Sequence, residues 1–335
     1  MKIALDAMGS DAGATPLVEG AVMAVNRFPC EVYMAGREHS LRRLLKHFRY
    51  RGDKIHILPC SEVVRMSDSP AESLQKKKSS ISVAARFVAE GKADAMVSAG
   101  NTGSTLAHCM RNWKRIKGIK RPGIASLMPT HDLPCLLIDA GANVDCKPRN
   151  LVDFALMGSI YSSLVLERSS PRVGILSVGE ERSKGNSLTL ETYGLLEKSH
   201  LNFVGNVEPD DVFNCEVDVL VCDGFVGNVF LKVSEAVAHL LIKNVKGAMM
   251  KNVITIAGAL MVSPGLRQIR RKVDNSEYGG APLLGLEHIC IIGHGAATPK
   301  SVMNMIRVAI DAVDKKITDR ISNEVGVIAK ELRLF

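Results

Sequence analysis

The residues best suited to chemistry in this sequence stand in short loops rich in Gly, Asn and Asp. Asn101-Thr102-Gly103-Ser104 precedes an apolar-periodic stretch. Backbone N–H groups at a helix start, with Thr and Ser hydroxyls beside them, could hold an anion. The same residues could simply cap the helix by accepting its orphan amides. Glu180-Glu181-Arg182-Ser183-Lys184-Gly185-Asn186 mixes both charge signs: Lys184 could neutralise a phosphate and Asn186 could cap a helix from Ser187, or the loop is mixed-charge surface. Asn143, Asp145 and Lys147 offer a comparable set with the same two readings. Asp223-Gly224-Phe225-Val226-Gly227-Asn228 and Gly9-Ser10-Asp11-Ala12-Gly13 share the character of these loops. His294, in Gly293-His294-Gly295, is the one histidine of the nine set in a loop of that kind.

No G-x-S-x-G elbow, HExxH, Walker A sequence or G-x-G-x-x-G after the first strand is present. Nothing points to a metal cluster, a cofactor or a covalent enzyme intermediate. A reaction whose nucleophile is itself a substrate fits that pattern.

Something must position these loops. Short apolar runs recur at residues 2–7, 93–98, 123–128, 135–139, 172–178, 217–222 and 289–292, and each ends in small or polar residues. Helix-length stretches lie between many of them, at 104–115, 151–167, 187–199 and 299–316. Alternating strands and helices predict an α/β fold with a mostly parallel sheet flanked by helices. Ligands of open α/β sheets bind outside the carboxyl ends of strands, so five such loops predict one composite site on one edge of the sheet. Residues 1–335 read as a single α/β catalytic unit. The stretch 237–262 is strongly apolar but broken by Lys243, Lys246 and Lys251, and a basic run, Arg267, Arg270, Arg271 and Lys272, follows. The uncharged piece, 252–267 less its flanks, is too short for a bilayer span of about 20 residues. Residues 237–272 therefore predict a buried core helix, a helical arm for dimerisation, or an amphipathic element that touches membrane.

Aromatics are 4% of the chain, so the core must be aliphatic, as in a helix-clothed parallel sheet. The eight cysteines form no CxxC pair and several sit in apolar runs, which reads as free thiols in a reducing compartment. No signal-peptide pattern precedes the first strand, and the expectation is a cytoplasmic protein. The formal charge of +8 suits an acidic protein or anionic lipid, or merely a solvated basic face. No zinc-finger spacing or stacking aromatics accompany it, so nucleic acid is not expected.

Taken together the loops resemble the acyl-acyl-carrier-protein:phosphate acyltransferase family. The matching segments are Leu5-Asp6-Ala7-Met8-Gly9, Ser98-Ala99-Gly100-Asn101-Thr102-Gly103, Asp139-Ala140-Gly141-Ala142-Asn143-Val144-Asp145-Cys146-Lys147-Pro148, Gly179-Glu180-Glu181, Lys184-Gly185-Asn186, Gly205-Asn206-Val207-Glu208-Pro209, Asp223-Gly224-Phe225-Val226-Gly227-Asn228 and Tyr278-Gly279-Gly280-Ala281-Pro282-Leu283-Leu284-Gly285, in family order over nearly the whole chain. The first loop departs from the family's Gly-Gly-Asp, with Ser10 in the second Gly place and a longer approach to Pro16.

The resemblance implies a fold similar to isocitrate and isopropylmalate dehydrogenases and to phosphotransacetylase, dimers, and a site in a cleft. It implies transfer of a fatty acyl group from acyl carrier protein to inorganic phosphate, for phospholipid synthesis. The acyl-phosphate would go to a membrane glycerol-3-phosphate acyltransferase, and the chain could rest peripherally on an anionic membrane surface. On this reading Asp6, Gly9, Asn101, Thr102, Gly103, Ser104, Asn143 and Asn228 bind phosphate or substrate. Lys184, Asn186, Asp223 and His294 serve the chemistry. Competing readings are a phosphotransacetylase-like enzyme using acyl-CoA, a metal- and NAD-dependent dehydrogenase of related fold, and a non-catalytic scaffold for lipid synthesis.

Overall fold

A computed structural model describes residues 1–273 and 275–332, and the side chains at 269–271, 273 and 275 lie outside that description. In chain order the elements are β1 (Lys2–Asp6), α1 (Thr15–Arg27), β2 (Glu31–Gly36), α2 (Glu38–Leu45), β3 (Ile55–Pro59), α3 (Pro70–Ser73), α4 (Ser80–Ala89), β4 (Ala95–Ser98), α5 (Thr102–Asn112), β5 (Gly123–Met128), β6 (Cys135–Ile138), α6 (Pro148–Val165), β7 (Val173–Leu176), α7 (Ser187–Leu196), β8 (Phe203–Val207), α8 (Pro209–Phe213), β9 (Val219–Val221), α9 (Gly224–Met249), α10 (Val253–Val273), α11 (Asn275–Tyr278), β10 (Ala281–Leu284), β11 (Ile289–Ile292), α12 (Pro299–Asp314) and α13 (Ile317–Glu331).

The strands form one sheet in the order β3-β2-β1-β4-β11-β10-β5-β6-β9-β7-β8. The sheet is mostly parallel and flanked by helices, as the alternation of runs predicts. Successive side chains of a strand point to opposite faces. Thus Ile3 and Leu5 join the core under α1 and α12, whereas Ala4 and Met96 join the opposite face under α4 and α5. A third apolar cluster packs α6 and α13 onto Leu136, Ile138 and Val219. The central strands are therefore buried on both faces, which explains why they read as continuous apolar runs, whereas the edge strands β3 and β8 are partly exposed.

The pairings β10 with β11, β10 with β5 and β5 with β6 are antiparallel. The directions of β1, β2, β3, β4 and β11 are therefore opposed to those of β6, β7, β8 and β9. This corrects the expectation of one loop-bearing edge: the loops after β1, β4 and β11 leave one edge, and those after β6, β7 and β9 leave the other. Sheet twist of roughly 20–25° per strand acts over the five steps from β1 to β6. It rotates the two edges relative to one another by roughly 100–125°.

The helix that holds the first part of the expected arm, α9, begins at Gly224, thirteen residues before 237, because it starts in the loop cluster and then leaves the body. By length and composition α9 could cross a membrane, with mean hydropathy 1.5 in its most apolar window. However, Gly224 and Gly227 are buried, and Phe230 and Leu231 pack against the core. From Val233 onward roughly 25 Å of helix remains, short of a hydrocarbon core of about 30 Å. Of the basic run after the arm, Arg270 and Arg271 have side chains outside the described residues; Lys272 Nζ donates to the His131 carbonyl at 2.7 Å.

Candidate functional site

The first loop cluster is organised by Asp6, at the end of β1 and 1% exposed. Its carboxylate accepts the Ser98 hydroxyl at 2.9 Å and the Met8 amide at 3.3 Å. Burial pushes its pKa up, against the pull of these donors. Gly9 is a close-approach position: a Cβ there would stand 2.5 Å from Asp6 Oδ2 and 2.9 Å from Gly100 Cα. Ser10, the residue that replaces a family glycine, is itself buried. Its hydroxyl donates to the Gly295 carbonyl at 2.7 Å, and the Asp11 amide donates to the same carbonyl at 3.0 Å. The departure from the family pattern thus ties the first loop to the loop that carries His294. His294 is exposed and its Nδ1 accepts the Ala296 amide at 3.2 Å.

Asn101 is the N-cap of α5, accepting the Ser104 amide at 2.9 Å. Both hydrogens of its Nδ2 go to the carbonyls of Met66, at 2.8 Å, and Asp68, at 3.3 Å. Capping therefore describes Asn101, and its side chain has no donor left for a ligand. The cap leaves the Thr102 and Gly103 amides, orphan donors of the first turn, without an intrahelical acceptor. Ser104 is fully buried and its Oγ has no hydrogen-bond partner. Buried hydroxyls are normally paired, so this one is an exception.

The second cluster is built on Asp139, immediately after β6 and fully buried. Oδ1 accepts the amides of Ile124, Gly141 and Ala142, at 3.0, 3.1 and 2.9 Å. Oδ2 accepts the Asn143 amide at 2.7 Å and Asn143 Nδ2 at 2.8 Å. Burial raises the carboxyl's pKa, opposed by these donors. The other hydrogen of Asn143 Nδ2 goes to the Pro122 carbonyl at 2.7 Å. Asn143 therefore has no N–H to offer an oxyanion, which corrects its expected role to that of holding the loop. The Asn143 carbonyl accepts the Gly224 amide at 2.8 Å, and Gly224 and Gly227 let α9 approach, since a Cβ on Gly227 would lie 2.0 Å from the Asp139 carbonyl oxygen. Asp223 caps α9 through the Phe225 and Val226 amides. Asn228 lies against Gly141 and is half-buried.

On the neighbouring strand end, Lys184 and Asn186 are exposed, and Lys184 enters no ion pair among the described residues. Asn186 caps α7 through the Thr189 amide at 3.0 Å. The turn that carries Lys184 is held from below by Asn206, 5% exposed, whose Nδ2 donates to the carbonyls of Glu181 at 2.9 Å and Lys184 at 3.3 Å.

Structure thus brings Asp6, Gly9, Asn101–Ser104 and His294 into one cluster, and Asn143, Asp223 and Asn228 into another with Lys184 and Asn186 beside it. No hydrogen bond or ion pair joins the two among the described residues. Sequence reasoning missed Ser98, Asp139 and Asn206 as organising groups. A signal was available: Leu5-Asp6-Ala7 and Ile138-Asp139-Ala140 each end a strand whose neighbour leads to Gly-x-x-Gly, at Gly100–Gly103 and Gly224–Gly227.

Comparison with known proteins gives a consistent result. Residues 1–320 match the family model described as fatty acid synthesis protein. A phosphate acyltransferase from Pelotomaculum thermopropionicum is 44% identical over 329 residues, covering 98% of this chain and 96% of that one. In fold, the EutD phosphotransacetylase from Staphylococcus aureus is similar, with a TM-score of 0.59 at 16% identity, over 93% of this chain and 94% of that chain. So is a 4-hydroxythreonine-4-phosphate dehydrogenase from Klebsiella pneumoniae, with a TM-score of 0.50 at 14% identity, over 93% and 99%.

Proposed function

The chain belongs to the fatty acid synthesis protein family, beside relatives that are phosphate acyltransferases, and from that premise we propose that it moves a fatty acyl group from acyl carrier protein onto inorganic phosphate. The observation that carries the reading is the α5 start, where two uncommitted amides and the unpartnered Ser104 hydroxyl follow Gly100, the residue that lies against Asp6 and Gly9. Amides at a helix N-terminus suit an anion.

Phosphate at neutral pH is already ionised, so it needs placement more than activation. Held by the Thr102 and Gly103 amides and Ser104, a phosphate oxygen attacks the thioester carbonyl carbon. The C–S bond then breaks with its electron pair on sulfur, and the proton given up by hydrogenphosphate goes to the thiolate. A thiol of pKa about 8.5 leaves without a strong acid, which fits a site with no triad. In this scheme Lys184 supplies charge from the second cluster. Asn186, whose Oδ1 caps α7 but whose Nδ2 is uncommitted, and Asn228 orient the ester or its oxyanion, and preorganised donors of this kind contribute about 3–4 kcal/mol each. Asp223 or His294 handles protons. Bringing both clusters onto one substrate pair supplies the proximity term.

The acyl-phosphate would serve a membrane glycerol-3-phosphate acyltransferase, and the exposed arm would pair two copies or rest on an anionic bilayer. The deciding experiment incubates the chain with palmitoyl-acyl carrier protein, with and without phosphate, reading free carrier thiol and hydroxylamine-trapped acyl-phosphate. Thiol release that ignores phosphate, or turnover confined to acyl-CoA, would overturn the reading. Lys184→Ala should raise the phosphate KM or lower kcat; unchanged kinetics at limiting phosphate would remove Lys184 from the site.

A further inference from the structure

A concentrated positive surface lies apart from both loop clusters. Between residues 42 and 54 stand Arg42, Arg43, Lys46, Arg49, Arg51 and Lys54 against Asp53 alone, so six cations and one carboxylate give +5 of the chain's +8. All but the half-buried Lys54 are exposed. Arg42 pairs with Glu38 on its own helix, and the other five enter no ion pair among the described residues. Glu38 and Glu31, the latter 3.5 Å from His56, are the carboxylates paired at its margin, and the cations outnumber them.

Nor is the surface a loose loop. Asn26, on α1, donates from Nδ2 to the Arg49 carbonyl at 3.1 Å and accepts the Arg51 amide at 3.1 Å, so both arginines are presented from a fixed turn. Beside them a recess of about 530 Å³ is lined by Arg42, Lys46, Tyr50, Ile55, His56 and Ile57. It combines cationic walls with an apolar floor. It also follows β3, the outermost strand of the sheet, whose outer edge has no paired strand among the described residues.

Resting on the proposed function, we infer that this surface docks the acidic carrier protein that brings the acyl thioester. Carboxylates on such a partner match the cations, and an apolar contact between them fits the recess. A second copy of this chain would set +5 against +5 and is disfavoured by charge. The patch is also separated from the arm: α9 grows out of β9, eight places along the sheet from β3, so what seats on one need not seat on the other. Distance is compatible with delivery. From the start of β3 to the end of β1 is two strand spacings sideways and one five-residue strand lengthwise, roughly 20 Å, within reach of a carrier's extended prosthetic arm. Charge complementarity of this kind acts mainly on encounter and is sensitive to salt.

The test uses the full chain and its triple charge reversal Arg43→Glu, Arg49→Glu, Arg51→Glu, with Arg49→Glu alone in case the triple variant fails to fold. Binding to unacylated holo-carrier protein is measured directly across ionic strength, and turnover is measured with both the acyl-carrier protein and a small acyl-pantetheine thioester. We expect at least tenfold weaker carrier binding, or about threefold or more for the single variant, a loss that shrinks as salt rises. The KM for the carrier donor should rise in parallel, with kcat and small-thioester turnover within twofold of the parent. The inference is overturned if the parent does not bind carrier or if the variants bind it as the parent does. It also fails if Lys198→Glu with Lys330→Glu gives the same loss, or if the variants lose only binding to phosphatidylglycerol vesicles. Salt-sensitive carrier binding that the reversal abolishes, without phosphate-dependent thiol release by the parent, would uphold the docking surface while refuting the proposed reaction.

Discussion

Replacing Asp139 by Asn tests whether one buried carboxylate holds the second loop cluster together. The change keeps side-chain shape and alters what the two terminal atoms can do. The three amides on Oδ1, from Ile124, Gly141 and Ala142, can keep an oxygen acceptor. The Oδ2 position then becomes NH2 and faces the Asn143 amide and Nδ2, which now stand at 2.7 and 2.8 Å. Two charge-assisted hydrogen bonds, worth about 1.5–3 kcal/mol each, are lost. A neutral amide is cheaper to bury than a carboxylate, which offsets part of that loss. The net expectation is about 3 kcal/mol of destabilisation. With a urea m-value near 3 kcal/mol/M, the midpoint falls by about 1 M at unchanged m. Asp139→Ala, which strands all five donors, should fall further or fail to accumulate as folded protein. Urea melts followed by far-UV circular dichroism at two protein concentrations measure this and separate folding from self-association. A midpoint for Asp139→Asn within 0.2 M of the parent, a shift of about 0.6 kcal/mol or less at that m-value, would show that the carboxylate does not organise the loop.

Gly227→Ala should cost at least about 3 kcal/mol in the same assay, because its Cβ would meet backbone oxygen at 2.0 Å and α9 must move to admit it; a melt like the parent's would mean the contact is soft. Ser10→Gly should leave stability within about 1.5 kcal/mol while loosening the first loop from Gly295, seen as faster amide exchange at Asp11 without change elsewhere; equal exchange would deny the staple. Asp218 provides a pH test. Burial raises its pKa, but the Arg172 hydrogen bonds and the charges of Arg172 and Arg168 outweigh this and hold it below the ordinary carboxylate value. A folded-state pKa below the unfolded one gives stability that is complete above about pH 4 and fades as pH drops through the folded value. Asp218→Asn should therefore be less stable at neutral pH and show a shallower acid limb; parallel acid limbs would remove Asp218 from the linkage.

Much of this architecture was readable from pattern. Strands at 123–128 and 289–292 fall where the apolar runs place them, because strands buried on both faces need unbroken aliphatic runs. Helix ends were less legible: α5 begins at Thr102 rather than 104, since Asn101 caps it. The pairing of β10 with β5 was not readable: β10 turns back on β11 through residues 285–288, but β5 lies more than 150 residues away in the chain, and no local residue preference encodes that contact. The same limit hid the division of the loops between two edges. In the candidate site, residue types announced polar loops but not which side chains were already occupied. Asn101 and Asn143 look like ligand donors in sequence, but in the fold Asn101 is consumed by two backbone carbonyls and Asn143 by the Pro122 carbonyl and the Asp139 carboxylate, while Ser104 looks like a cap and keeps an idle hydroxyl.

α9 begins against Asp139 and ends beyond the body of the protein. A helix of this length is stiff along its axis, so it works as a lever whose short limb is wedged between two loops. Immobilising the distal limb, by whatever surface receives it, restricts how far the proximal limb can rock, and tightening the wedge in turn restricts the far end.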